Sequence, residues 1–452
     1  MTDGAVESVE SFRARAREWL AANMPRAEKD GQPVREDEEE WARARELQGR
    51  LHGGGFAGIC FPAEYGGLGL TPAHQRAFNE ETRGYEMPVR LNIPTFSICA
   101  ATLLDMGSEE QKRTHIAAAI RGEHVLCQFL SEPSGGSDLA GLITRAELQD
   151  DDTWLLNGAK CWSTWAYAAD YALCLARTDW TVPKHRGLTM FLVPTRAPGV
   201  TLNRVRMVDG TQEFCEEFFD DVRLPMSAVV GEVNGGWAVA SRQMFHERNS
   251  MGGGSPYASG ASRPRRVGSS TPVEVARAAG STDDPAVREL LGRWLALRAV
   301  CDQTVRRVSQ AMTDGTLPPA ASSMLRLLEA EATHLGADLG LRIAGTGAVI
   351  GAGTGAVVSA GTGAVVGAGT GAVVSAGTGA VVGAGTGAAV GGDAEPGVLG
   401  RVGIGFLGRQ SGSLGGGTTE IARNVISERV LNMPREHAAD RDVPFNEVKR
   451  GR

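Results

Sequence analysis

No two of the seven cysteines (Cys60, Cys99, Cys127, Cys161, Cys174, Cys215, Cys301) fall at C-x-x-C spacing, which argues against a structural zinc site or a dithiol redox pair. A reduced, cytoplasmic enzyme is the expectation. Positive charge is not in excess either: 46 Lys and Arg stand against 53 Asp and Glu, for a net charge of −7. The basic residues are scattered apart from a short cluster at Arg263 to Arg266, so no nucleic-acid groove is expected. The N-terminal residues carry Glu and Arg where a secretory leader would have a basic start and an apolar run. The chain also lacks a long run of bulky apolar residues. The uncharged stretch between Arg342 and Asp393 is rich in glycine, has no Leu or Phe and has no aromatic anchors at its ends, so no membrane span is expected.

That stretch is a tandem repeat. The octad Ala-Gly-Thr-Gly-Ala-Val-Val-Gly/Ser recurs from Ala344 to Gly391, with Gly and Ser mostly alternating at its last position. Having few bulky groups, it cannot offset the entropy of ordering by burial, and it reads as an expanded surface connection between two helices.

A length of 452 residues with 42% hydrophobic content allows two or three domains. From Val6 to about His124 the period is helical: Phe12, Ala16, Trp19 and Leu20 share a face, and Trp41, Ala44, Leu47 and Leu51 continue the pattern. Between Val125 and Gly236 short β-rich runs such as Tyr171–Ala176 and Leu188–Val193 alternate with Pro and Gly. Beyond Trp237 the helical period returns, with long helices expected near Pro285 to Met312 and Ala320 to Ile343, and the Gly/Ser/Pro-rich stretch Gly252 to Thr271 expected to loop out. The division predicted is a helical domain at 1–124, a small β-barrel at 125–236, and a helical bundle at 237–452 carrying the insert 344–391. The fold class is mainly α with a central β domain.

Two clusters carry chemistry. Phe129-Leu130-Ser131-Glu132-Pro133-Ser134-Gly135-Gly136-Ser137-Asp138 packs short hydroxyls and glycines where backbone amides can close around an anion. Trp154 to Thr164 reads as a strand, a tight Asn157-Gly158 turn and a second strand ending in the indole of Trp162 beside Ser163 and Thr164. Taken singly, a solvated loop and a core tryptophan remain open readings. In this order the pair resembles the acyl-CoA dehydrogenase family, whose signature runs aliphatic, Ser/Thr, Glu, two variable residues, Gly, Gly, Ser/Thr, Asp, and is followed by Trp-x-Ser/Thr. Phe129 departs from that form. Pro62-Ala63-Glu64-Tyr65-Gly66-Gly67-Leu68-Gly69 and the exit through Asp220-Asp221-Val222-Arg223-Leu224-Pro225, Gly231 and Gly235-Gly236-Trp237 resemble the same family.

The resemblance implies an FAD-dependent enzyme that converts an acyl-CoA to a trans-2-enoyl-CoA and passes electrons to an electron-transfer flavoprotein, as a homo- or hetero-oligomer. It implies that Gln128, Phe129, Leu130, Ser131, Gly136 and Ser137 wrap the flavin, that Trp162 packs on its rings beside Ser163, that Thr164 reaches its N5, and that Thr418 and Glu420 meet its adenine side. Ser137, Arg248 and Gly417 are implied toward the substrate. Most relatives carry a catalytic Glu directly before a Gly-Thr near the C-terminus, and here that position is Gly416. It offers a backbone N–H for the thioester oxygen and no base. A minority, resembling isovaleryl-CoA and long-chain acyl-CoA dehydrogenases, takes the base from a Glu-Arg pair after the β domain, and Glu247-Arg248 fits that place. The Arg-x-x-Phe-Gly motif by which one subunit grips its neighbour's flavin is absent, and the repeat begins inside the second such motif, at Arg342 to Gly347. These departures favour, as an alternative, a non-catalytic partner subunit; an oxygen-using oxidase or monooxygenase of the same fold is the second alternative.

Overall fold

Apolar residues at helical spacing build the first elements. In α1 (Val9–Asn23) the Ser8 hydroxyl accepts the Ser11 amide and starts the helix, which buries Phe12, Ala16 and Leu20 along one stripe. In α2 (Asp37–Gly53) four carboxylates, Asp37 to Glu40, sit at the positive end of the helix dipole, and Trp41, Ala44, Leu47 and Leu51 turn inward. The helices α3 (Pro72–Glu81), α4 (Ala101–Met106), α5 (Glu109–Gln111) and α6 (Ala117–Arg121) follow, with a π-helical segment Asn92–Ala100 leading into α4. The structure is a computed structural model that describes residues 6–27, 37–208, 210–251, 254–260, 270–345, 348 and 398–449. The octad repeat beyond 348, the cluster Arg263 to Arg266 and much of the 252–271 stretch lie outside the described residues.

The β-rich region supplies eight strands: β1 (Leu126–Phe129), β2 (Arg145–Leu148), β3 (Thr153–Thr164), β4 (Tyr171–Arg177), β5 (Leu188–Pro194), β6 (Val200–Val205), β7 (Phe214–Pro225) and β8 (Val229–Val230). They form one sheet in the order β6-β7-β3-β2-β4-β5-β8, with β1 added in parallel to β4. Among the described strands the end members β6 and β8 do not pair, so the expected barrel is an open sheet. The expected hairpin is also corrected. Asn157-Gly158 does not turn the chain back but lies inside the continuous strand β3, at a break in its register with β7 between Leu156 and Gly158. Asn157 exchanges hydrogen bonds with the backbone and side chain of Asp221 at 2.9 Å. Gly158 has φ +144°, and a Cβ there would lie 2.7 Å from Thr144. What reads locally as a turn is therefore a bulge, because β7 supplies the partners that keep the strand going.

After β8 the chain enters α7 (Gly236–Met251). A Cβ on Gly236 would meet the Thr189 backbone at 2.7 Å, so only glycine lets this helix begin hard against β5. The described residues group into two compact units. The first comprises Met1–Val205, Glu213–Pro264 and Glu436–Arg452, and the second Arg206–Gln212 and Arg265–Arg435. The first holds the sheet, α1 to α7 and the C-terminal segment. In that segment Phe445 is buried, its amide donates to the Val182 carbonyl at 3.0 Å, and its ring lies 3.5 Å from the Arg177 guanidinium. The second unit contains α8 (Pro272–Ala278), α9 (Pro285–Thr313), α10 (Ser322–Ala344), α11 (Val398–Gly408) and α12 (Thr419–Arg429). Its apolar faces meet in two clusters, one around Val275, Val287, Ile343 and Val402 and one around Val308, Ala321 and Leu325. No helix among the described residues is long and apolar enough to cross a membrane.

Candidate active site

The signature run leaves β1 as a tight turn. The amides of Glu132 and Gly135 each donate to the other's carbonyl, at 3.2 and 2.9 Å, and Pro133 to Asp138 face solvent. The anchor of this turn is a group the sequence reading did not single out. Glu132 is buried, and its carboxylate accepts the amides of Ile143 and Thr144, both at 2.8 Å, and the Lys160 ammonium at 3.1 Å. Burial pushes this carboxyl up, but Lys160 and the hydrogen bonds from Thr144 and Ile143 outweigh it and hold it below the usual range. Lys160 also donates to the Leu130 carbonyl at 3.0 Å. The signature turn is thus fastened to β3 by an ion pair shut away from water.

The same strand brings the second cluster alongside. The Cys161 amide donates to the Ser131 carbonyl at 2.9 Å, joining the two motifs that sequence separates. Between Cys161 and Ser163 the register with β7 breaks again, and Trp162 is the extra residue, at φ +64°. A strand alternates faces, so an inserted residue reverses which side chains point inward. Lys160 faces in. Past the bulge Ser163 faces in as well, its hydroxyl donating to Glu217 at 2.8 Å, while Trp162 is 54% exposed. The left-handed conformation is costly for a bulky side chain such as that of Trp162.

Ser163 is buried and committed to Glu217, and Phe129 is buried against Phe219 with ring centroids 5.7 Å apart, so both side chains serve the core. Ser131 and Thr164 are half-buried, Leu130 packs at the core's edge, and Gly136 and Ser137 are exposed in the turn. Asp138 pairs with Lys184 at 3.0 Å, and Lys184 also pairs with Asp440 at 3.0 Å.

Glu247 is placed by a helix fastened on two sides. On one, Arg242 and His246 both reach Asp105 of α4, the His246 Nε2 at 2.7 Å. Burial lowers the His246 pKa, against the pull of Asp105, and the Nε2–H donates to the carboxylate. On the other, Gln243 donates to Gln128 of β1 at 2.9 Å. Gln243 is fully buried and its Oε1 has no hydrogen-bond partner. One helical turn further on, Glu247 is half-buried beside the buried Cys99, whose thiol is pushed up by burial and then by the Glu247 carboxylate. Cys99 in turn donates to the Cys127 carbonyl of β1 at 3.2 Å. Arg248 is half-buried on the same helix.

In the second unit Gly416 and Gly417 have φ +71° and +89°, consecutive left-handed positions that glycine adopts without strain. Arg326 holds the Gly415 carbonyl with two donors, at 3.0 and 2.6 Å. The Thr418 hydroxyl is spent as the N-cap of α12, accepting the Ile421 amide at 3.2 Å, and Glu420 is exposed in the first turn of that helix.

Residues 7–123 match the family model described as "Acyl-CoA dehydrogenase, N-terminal domain", and residues 127–222 the one described as "Acyl-CoA dehydrogenase, middle domain". The chain is 38% identical over 302 residues to "Acyl-CoA dehydrogenase IpdE1" of Mycobacterium tuberculosis, covering 65% of this chain and 76% of that protein. It is 32% identical over 219 residues to the mitochondrial isovaleryl-CoA dehydrogenase of Pongo abelii, covering 48% and 52%. Among solved structures, "Tcur3481-Tcur3483 steroid ACAD" is similar with a TM-score of 0.66 and 23% identity, over 96% of this chain and all of that one. The ChsE4-ChsE5 complex from Mycobacterium tuberculosis is similar with a TM-score of 0.63 and 23% identity, over 96% and 100%. At that identity the likeness to the solved structures is one of fold. The two matched family models, together with a relative covered over three quarters of its length, establish that this chain belongs to the acyl-CoA dehydrogenase family of flavoprotein oxidoreductases.

Proposed function

We propose that the protein is an FAD-dependent acyl-CoA dehydrogenase that oxidises the α,β bond of an acyl-CoA to a trans-2-enoyl-CoA, with Glu247 as the base. The observation that carries the reading is the setting of Glu247: half-buried beside Cys99, on a helix locked to Asp105 and Gln128, in a chain whose Gly416 has no ionisable side chain. The residues present fit a flavin. A fully buried Gln243 Oε1 without a partner calls for a donor, and an indole is turned outward beside the Ser131 backbone. Gln128, Leu130, Ser131, Gly136, Ser137, Trp162 and Thr164 would hold the group, with Phe129 and Ser163 contributing through the backbone alone. When bound, FAD supplies the two-electron acceptor for the β-carbon.

The chain's own part begins with a proton. The Glu247 carboxylate takes it from the α-carbon of the thioester, a step for which a positioned base is worth about 10²–10⁴-fold. Electrons then leave to an electron-transfer flavoprotein, in the cytoplasmic setting expected from the sequence. The second reading, a partner subunit, draws on the two-component names of the Tcur3481-Tcur3483 and ChsE4-ChsE5 structures and on the missing acid at position 416.

The test is anaerobic titration of the purified protein with a panel of acyl-CoAs, following flavin absorbance. Wild type bleaches, and folded Glu247→Gln bleaches slower by about 10²–10⁴-fold. Wild-type bleaching in that variant rejects the base. No bleaching by any thioester, together with co-purification of a homologous chain, makes it a partner subunit, and rapid reoxidation by air makes it an oxygen-using enzyme.

A further inference from the structure

The mechanism leaves one buried acid unused. Glu217 on β7 is fully buried, stands opposite Lys160 in the β3–β7 register, and accepts the Ser163 hydroxyl on Oε2 at 2.8 Å, while its Oε1 has no partner among the described residues. Leu202 of β6 lies across from it on the other side. The titratable groups that face it are Lys160 and Cys161 from β3, Cys127 from β1, Cys174 from β4, Glu132 from the signature turn, and Cys215 and Glu216 of its own strand. Lys160 is the one cation among these. It is committed to Glu132 and the Leu130 carbonyl, so Glu217 is left with a neutral hydroxyl as its bonding partner.

A buried carboxyl with an unmade hydrogen bond costs stability that an apolar side chain of like size would not. Its placement has a consequence on the opposite face of the sheet. Ser163 is the first residue after the Trp162 bulge, and its side chain is held inward while that of Trp162 is exposed.

We propose that Glu217 is a positioning residue for the flavin face: by holding the Ser163 hydroxyl inside the sheet it fixes the bulge that presents Trp162. The proposal rests on the flavin reading of that face. Burial pushes the Glu217 carboxyl up to about 8, so at neutral pH the neutral acid is the favoured form. As pH rises through that value a buried carboxylate appears next to Lys160 and competes with Glu132 for it. The anchor of the signature turn then weakens, while the Ser163 hydroxyl is held more strongly by the charged acceptor. The Cys161, Cys215 and Cys174 thiols are pushed to about 11, 11 and 12 by burial, Cys127 is raised further, and Glu132 is held low.

The test compares wild type with Glu217→Leu, Glu217→Gln and Ser163→Ala, measuring FAD dissociation constant, visible flavin spectrum, thermal midpoint and acrylamide quenching of Trp162. The last is isolated by difference against Trp162→Phe in each background. Glu217→Leu and Ser163→Ala are expected to bind FAD about tenfold more weakly, the value of one buried hydrogen bond, with altered quenching of Trp162 and without a fall in the Glu217→Leu thermal midpoint. Glu217→Gln, whose amide oxygen still accepts from Ser163, keeps near-wild-type affinity but loses the change in affinity that wild type shows near pH 8. Unchanged FAD affinity, spectrum and Trp162 quenching in both Glu217→Leu and Ser163→Ala overturns the proposal, and Ser163→Ala decides the case if Glu217→Leu does not fold. If quenching shifts but no variant and no wild type binds FAD, the flavin reading has failed while the control of the bulge by Glu217 stands.

Discussion

Removing the Lys160 ammonium isolates the force that holds the signature turn. In Lys160→Met the Glu132 carboxylate keeps the Ile143 and Thr144 amides but loses its countercharge, in a place where the two side chains are 0% and 2% exposed. Stripping one partner from a buried ion pair costs about 3–5 kcal/mol. The freed Leu130 carbonyl belongs to the same disruption. The amides that report it are those of Ile143 and Thr144, and at 1.4 kcal/mol per decade their hydrogen exchange should accelerate by about two to three and a half decades at pH 7. The pH dependence has a definite sign. In wild type the Glu132 carboxyl lies below its ordinary value, so its contribution is present above the unfolded pKa and is lost as pH falls through the folded one. In the variant burial is opposed only by the Ile143 and Thr144 hydrogen bonds, so the carboxyl rises relative to wild type, protonation relieves the penalty, and the deficit should be smaller at pH 5 than at pH 7. Lys160→Met combined with Glu132→Gln should recover much of the loss, because no buried charge remains. Exchange accelerated by less than about tenfold, or a deficit independent of pH, would refute the argument that charge burial fixes this turn.

Two further outcomes follow from packing. Phe445→Ala empties the site between the Arg177 guanidinium and Trp180, and should cost about 3–5 kcal/mol in urea unfolding followed by Trp fluorescence, along with faster proteolysis of the C-terminal segment; a loss below about 1 kcal/mol would mean the segment is not needed there. Gly158→Ala, which forces a Cβ to 2.7 Å from Thr144 at φ +144°, should lower stability by about 1–3 kcal/mol in the same assay, and a neutral result would show that the bulge relaxes freely.

Much of this molecule is legible in one dimension. Phe12, Ala16 and Leu20 of α1, or Trp41, Ala44, Leu47 and Leu51 of α2, recur at the period of a helix buried along one face, and the structure buries each of them. The runs at Tyr171 and Leu188 are apolar throughout because β4 and β5 are covered on both faces, and they pair along their whole length. The signature run and Trp162-Ser163-Thr164 named the family before any contact was known. Periodicity reaches that far because it records only whether a position faces core or water.

Tertiary structure alone decided what lies across from each residue. Asn157-Gly158 has the chemistry of a turn, yet it is a bulge because Asp221 and Thr144 stand opposite it. Ser163 sits in a cofactor motif, yet it points into the core because an extra residue at Trp162 reverses the alternation of β3, and the reason for that reversal, Glu217, lies fifty-four positions away. Glu132 and Lys160 look like ordinary surface charges in the sequence, and only the joining of β1, the signature turn and β3 makes them a buried pair. Side-chain type is a local property, whereas register, burial of charge and hydrogen-bond partnership are set by segments far apart in the chain, which is why the family could be read from the sequence and the anchoring of its site could not.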